Sequence, residues 1–410
     1  MNVSPNFSPP IKMMQVYFLL SSFFYALSML WLFFIDPLSD LKDFSLIGWV
    51  HLYMLGFVMM GIFAAMAQLA PIVVESAHYQ VKIFKFLWIF LLSGLILMIV
   101  GFYHNPIYLL YGGSLVFLTM FIYAVEFLLT IKNSKRKTSI TKAMKMSNFF
   151  LLLGIITGLV MAASFNGYIA INPHAILNIH TFGLIVGFVI LLIMGISIIL
   201  IPMFGSSKRI SDNEFTSSFY TIALGVIVMM LSPFFYTTLL ENLSYTIVSV
   251  SLLLYFYQLY KMTKSRKRIK HDIWAKSMYI AFSSFILSFF LLLSYLYSSD
   301  AQILKLAMWI LFIGFFGFVI IGNFYKVLPF LIWFHIYSPL IEERAVPMMH
   351  ELLPNRLATL QWFFSSLGLF TSSVGLYLNS LEIFHAGLLL LSTASLIFFI
   401  IIKKLLKVKI

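Results

Sequence analysis

Two histidines in apolar surroundings are the residues of this chain best suited to chemistry. His51 begins the run HLYMLGFVMMGIFAAMAQLAP, and His180 begins HTFGLIVGFVILLIMGISIILIP. An ionisable ring inside a membrane span is expensive to bury and usually marks a functional position. Neutral imidazole suits haem iron or copper. The chain contains no cysteine, which excludes disulfides, thiolate metal sites and iron–sulfur clusters. His174 and His385 are expected at the same outer level of the membrane and are candidate further ligands. The competing reading for each of the four is a single hydrogen bond to a neighbouring helix.

Three further polar residues fall inside apolar runs. Lys326 stands three residues before Pro329, and Gln68 holds the same slot before Pro71. Glu126 lies near the basic end of its run. Together they are candidates for a polar or proton path. Lys326 could instead snorkel to the surface, and Glu126 could be protonated or paired. His78, His271, His335 and His350 fall in or beside loops and are expected to be solvated.

The elements that must position these groups repeat. A third run, WILFIGFFGFVIIGNFYKVLP, joins the two that start at the histidines. All three follow one formula: Gly-Phe, six residues, Ala or Gly, six residues, Pro. The matching residues are Gly56, Phe57, Ala64 and Pro71; then Gly187, Phe188, Gly195 and Pro202; then Gly314, Phe315, Gly322 and Pro329. So long a period is no solenoid repeat and points to multi-helix blocks. The small residues let neighbouring helices approach closely. The prolines are expected to break the helix where the chain turns polar.

With 61% hydrophobic and 10% charged residues, the chain falls far below the charge content of a soluble domain. Runs of about 20 apolar residues recur along its length. Twelve spans are expected, at about Met13–Ile35, Leu46–Val74, Phe84–Tyr103, Ile107–Ile131, Ser147–Ile169, His174–Phe204, Ser217–Leu239, Leu243–Met262, Ile273–Tyr297, Ile303–Trp333, Leu357–Leu378 and Ile383–Ile402. The first is too long for a signal-peptide core and is expected to be retained, behind a short disordered cap. The fold class is therefore all-α: one polytopic membrane domain, 1–410, in three four-helix pseudo-repeats at about 12–132, 146–262 and 273–402. The motif falls on the second helix of each.

The loops KNSKRKTSITKAMK and KSRKRIKHD and the tail KKLLKVKI carry much of the positive charge. By the positive-inside rule both termini are cytoplasmic, which suits a bacterial inner membrane. The net charge of +13 then reports topology and attraction to the lipid bilayer. Nucleic acid is not an expected partner, because the basic loops are short and lack interleaved aromatic residues. The segment 337–355, with Glu342, Glu343 and Glu351, has an amphipathic pattern suited to a protein dock or a surface helix.

His51 stands 20 residues before its proline and His180 stands 22 before its own; the third copy has Trp309 and Ala307 in these slots. Positions two apart on a helix point about 200° apart. If the three motif helices form an inner ring, His51 and His180 either share a gap or diverge. Spacing alone leaves both open.

Twelve helices, threefold repeats and histidines at the outer ends of helices 2 and 6 resemble the haem-copper oxidase subunit I superfamily. The phrases HLYMLGFVMMGIFAAMAQLAPIVV, IHTFGLIVGFVILLIMGISIILIPMF and GNFYKVLPFLIWFH are most similar to its uncharacterised oxidase-like branch, with the nitric-oxide-response membrane proteins of the NnrS type as relatives. The resemblance implies a low-spin haem ligand at His51 and a copper ligand near His180. It also tilts the two rings towards a shared gap, where they would ligate one haem or share a copper ion. The pattern departs elsewhere. Helix 10 has Ala307 and Trp309 where the family has histidines, helix 7 has no His-His pair, and the helix 6 tyrosine is missing. A complete oxidase site cannot be assembled, so the scaffold is implied without its catalysis.

The expected function is that of a haem- or copper-binding, oxidase-like membrane protein, not a complete enzyme, linked to respiration or nitric-oxide response through respiratory-chain partners. A cofactor-free assembly subunit and a membrane transporter are the alternatives.

Overall fold

A computed structural model describes residues 9–134, 137–235, 238–267 and 271–407. Every regular element among them is helical. Ten helices are long and apolar enough to cross a membrane: α1 (Ile11–Phe34), α2 (Phe44–Val74), α4 (Ile107–Lys132), α5 (Ser139–Phe165), α6 (Ile176–Gly205), α7 (Asp212–Phe235), α8 (Thr238–Lys264), α9 (Ile273–Ser298), α10 (Ala301–Leu340) and α12 (Leu381–Leu406). Two of the twelve expected spans are not among them. The apolar α3, Leu87–Tyr103, has only 17 residues. In α11, Asn355–Tyr377, a face of Gln361, Ser365 and Ser372 is turned inward and interrupts the apolar run. Residues 1–8 of the expected disordered cap lie outside those described, as do parts of both basic loops and of the tail; its last residues are ordered, with Pro9 buried and accepting from Gln68, and Ile11 and Lys12 already in α1.

Several helices begin earlier than apolar runs suggest, because polar first turns are capped. Thr138 accepts the Thr141 amide at 3.3 Å, which lets α5 start two turns inside the basic loop. Ile140, Ala143 and Met144 give those turns a buried face. Asp43 and Asp300 cap α2 and α10 by accepting the amides of Ser45 and Gln302, each at 2.8 Å. The Ser45 backbone N–H holds the exposed Asp43 carboxyl below the usual range. A lowered carboxyl stabilises the fold above its unfolded value, and that contribution is lost as pH falls through the folded one. Asp43→Asn is therefore expected to flatten the acid limb of a stability–pH curve slightly and leave neutral stability nearly unchanged, as a thermal-shift series would read.

The three motif copies share their backbone as well as their letters. Each helix widens into an eight-residue π-helical segment: Leu52–Met59, Gly183–Ile190 and Ile310–Gly317. All three begin 19 residues before the motif proline and contain its Gly-Phe pair. The wider π turn loosens the regular ladder, and two segments lend a carbonyl to a neighbour. Ser21 Oγ donates to the Phe57 carbonyl at 2.8 Å, and Tyr53 Oη donates to the Phe312 carbonyl at 2.7 Å. The prolines do not end their helices at once. α-Helix continues three residues beyond each, to Val74, Gly205 and Ile332. The next residues, Glu75 and Ser206, take the left-handed conformation of a C-cap. In α10 the chain instead passes into a π turn, Trp333–Tyr337.

The motif glycines meet the first helix of their own block. A methyl on Gly56 would lie 2.6 Å from the Phe24 ring, and one on Gly187 would lie 2.8 Å from the Phe150 ring. On Gly314 it would lie 2.6 Å from Ser284 Cβ. Close approach explains the conserved formula within the chain without any ligand.

Contacts divide the helices into two compact units: Leu69–Lys270, and Pro9–Gln68 with His271–Ile410. One boundary falls inside α2, so the units do not follow the three blocks expected from sequence. The first unit holds α3 to α8 and the end of α2. The second holds α1, most of α2, and α9 to α12, with an aromatic interior. Trp309 stacks on Trp49 at 5.9 Å, and Trp49 stacks on Tyr53 at 5.7 Å. Of the two readings of 337–355, the surface helix does not form: Ser338–Leu340 and Met349–Glu351 are only short 3-10 turns.

Candidate functional site

In the second unit, His51 is the last residue before the π segment of α2 and is half-buried. Its Nδ1 lies 2.8 Å from the Ile47 carbonyl, one turn back. In the first unit, His180 sits three residues before the π segment of α6 and is half-buried. Its Nδ1 lies 2.9 Å from the Gly154 carbonyl of α5. The ring lies against Gly158, where an added methyl would come within 2.7 Å of Cε1. Gly154 and Gly158 thus form a small-residue notch that seats the imidazole.

A carbonyl oxygen only accepts, so both Nδ1 atoms carry hydrogen. In the neutral ring, Nε2 is then the basic nitrogen. A backbone carbonyl that fixes the tautomer in this way also supports metal-bound histidines. The donor chemistry of both rings therefore fits haem iron or copper. The number of donors fits less well: no group of three His, Asp or Glu converges on one point among the described residues.

The other candidate ligands are His385 and His174. His385, on α12, packs against Phe33 at 5.5 Å, and its Nε2 is buried without a hydrogen-bond partner. His174 lies on the helix that leads into α6, and its side chain is outside the described residues. In the third copy, Trp309 fills the histidine slot and donates to Ser372 Oγ at 2.9 Å. Ala307 is fully buried, and its carbonyl accepts from Ser288.

The polar-path residues have separate partners. Gln68 is buried and donates to the Pro9 carbonyl at 2.9 Å, while its Oε1 has no partner. Lys326 does not simply reach for water: its Nζ lies 2.6 Å from Asp272 Oδ2. Asp272 also caps α9 by accepting the Ala275 amide at 3.0 Å. Losing both roles in Asp272→Ala is expected to cost about 1–2 kcal/mol. Asp272→Asn keeps the cap and loses a half-exposed pair, for less than about 1 kcal/mol. Denaturant midpoints of the two variants separate the contributions.

Glu126, in the first unit, is paired, and its partner corrects a sequence expectation. His78 is buried, with 1% of its side chain exposed, and its Nδ1 lies 2.9 Å from Glu126 Oε1. The loop after α2 folds inward because Glu126 and Thr130, one turn apart on α4, offer acceptors to His78, Tyr79 and Gln80. The signal was a buried acid with no basic residue on its own helix face. His335 is likewise half-buried, with Nε2 unpartnered, while His271 and His350 are exposed as expected.

Compared with known proteins, the chain matches no family model and no curated sequence.

Proposed function

We propose that this chain is a multi-pass protein of the bacterial inner membrane, built as an oxidase-like internal triplication, in which His51 and His180 are ligands to haem or copper. One observation carries the reading. Trp49 and Trp309 stack on each other from slots 22 and 20 residues before their prolines. His180 and His51 hold those same two slots in their own copies, each with Nδ1 on a backbone carbonyl. The shared register of the three π segments supports the triplication.

A bound haem would supply one-electron redox chemistry or small-gas binding. The chain's own residues would supply two neutral imidazoles, each with a fixed tautomer. His51→Ala and His180→Ala are each expected to abolish the Soret band of protein purified from haem-replete cells, or its copper content. A colourless, metal-free parent protein would overturn the proposal.

A second reading, a cofactor-free assembly subunit of a respiratory complex, draws on the same stack as it continues through Tyr53. Trp309, Trp49 and Tyr53 fill the interior of the second unit with stacked rings. It predicts a colourless protein that copurifies with such a complex.

A further inference from the structure

We propose that His78 and Glu126 form a buried proton-binding site that holds the loop after α2 against α4. His78 Nδ1 at 2.9 Å, Thr130 Oγ1 at 2.8 Å and the Gln80 amide at 3.5 Å all address one oxygen, Glu126 Oε1. The other oxygen, Oε2, is buried and accepts no hydrogen bond. Glu126 and His78 are 3% and 1% exposed. A carboxylate is an acceptor at both oxygens, and an unsatisfied buried one is costly. A carboxylic acid removes the charge and places its hydrogen on the unaddressed side.

The two protonation states are therefore chemically distinct here. With the carboxylate, His78 donates in a charge-assisted bond and the loop is drawn in. With the acid, that bond becomes neutral and weaker. The surroundings contribute few other charges. Tyr123, on the same helix as Glu126, faces the carboxyl, and Phe84, from the short turn Val81–Lys85, packs on the His78 ring at 5.2 Å. Tyr79, next to His78, donates its amide to Thr130 Oγ1 at 3.0 Å while its side chain stays exposed. The loop thus couples a buried proton to a surface position.

The test is infrared difference spectroscopy of the full chain in lipid nanodiscs, stepped from about pH 8 to about pH 4. A buried carboxylic-acid C=O band is expected to grow on acidification and to be absent in Glu126→Gln, which keeps an acceptor for Thr130 and Gln80. In His78→Gln the band is expected at a higher pH in the same titration, because the imidazole that favours the carboxylate is gone. A parent spectrum without a Glu126-dependent band overturns the proposal, and so does a His78→Gln titration that overlays the parent. Should Glu126→Gln fail to fold, the His78→Gln comparison decides. A Tyr79→Cys label, the sole thiol in the chain, is expected to react several-fold faster in acid. A pH-independent rate would remove the link to the loop.

Discussion

Gly387→Val is expected to lower the unfolding midpoint of the purified protein more than any other single apolar substitution in the second unit. Helices α11 and α12 cross with almost no side chain between them. A Cβ on Gly387 would overlap the Ser372 amide nitrogen and lie 2.7 Å from its Cα; on Gly375 it would overlap the Phe384 amide nitrogen and lie 2.6 Å from that Cα. These neighbours are backbone atoms, so relief requires the helices to separate. Separation would also pull Ser372 Oγ from the Trp309 indole that it serves. Overpacking of this kind costs about 3 kcal/mol or more. Gly113→Ala is the control: nothing lies within 3.8 Å of the added methyl, and the gain in helix propensity makes it neutral or slightly stabilising. Thermal unfolding of both variants in one detergent reads the contrast. Equal midpoints would show that the α11–α12 crossing is looser than described here.

His78→Ala is expected to be nearly as damaging, by about 3 kcal/mol, because it leaves a buried carboxylate without the donor that addresses it. The loss should shrink in acid, where Glu126 becomes neutral and the hydrogen bond that His78 supplies is no longer charge-assisted. His78→Leu combined with Glu126→Leu should lose less than the sum of the two single changes, since no buried charge then remains. Thr130 and the Gln80 amide would still lack their acceptor, so full recovery is not expected. A double-mutant cycle at neutral and acid pH measures both effects. Additive losses that do not vary with pH would mean that the pair contributes packing alone.

Much of the architecture was legible in the residues. Continuous apolar runs of about 20 residues cross a bilayer as helices, because every backbone polar group must be satisfied within the segment. The Gly-Phe, Ala/Gly, Pro spacing marked three helices whose glycines a neighbouring helix presses closely. The slot arithmetic around each proline also matched the slots of His51 and His180 to Trp309 and Ala307 of the third copy.

Tertiary structure decided the rest. The apolar run reads α11 as a span, whereas its inward polar face is met by Tyr325 and Trp309 of α10 and its glycines by α12, which periodicity alone does not reveal. The π segments coincide with the Gly-Phe pair of each copy, but apolar letters alone do not say that the helix widens there. His78 reads as a loop residue until α4 brings Glu126 and Thr130 to meet it, and Lys326 reads as a snorkelling lysine until the loop before α9 delivers Asp272. In each case a polar group's partner lies dozens of residues away in the chain. Burial makes that partner obligatory, but only the folded chain shows which residue it is.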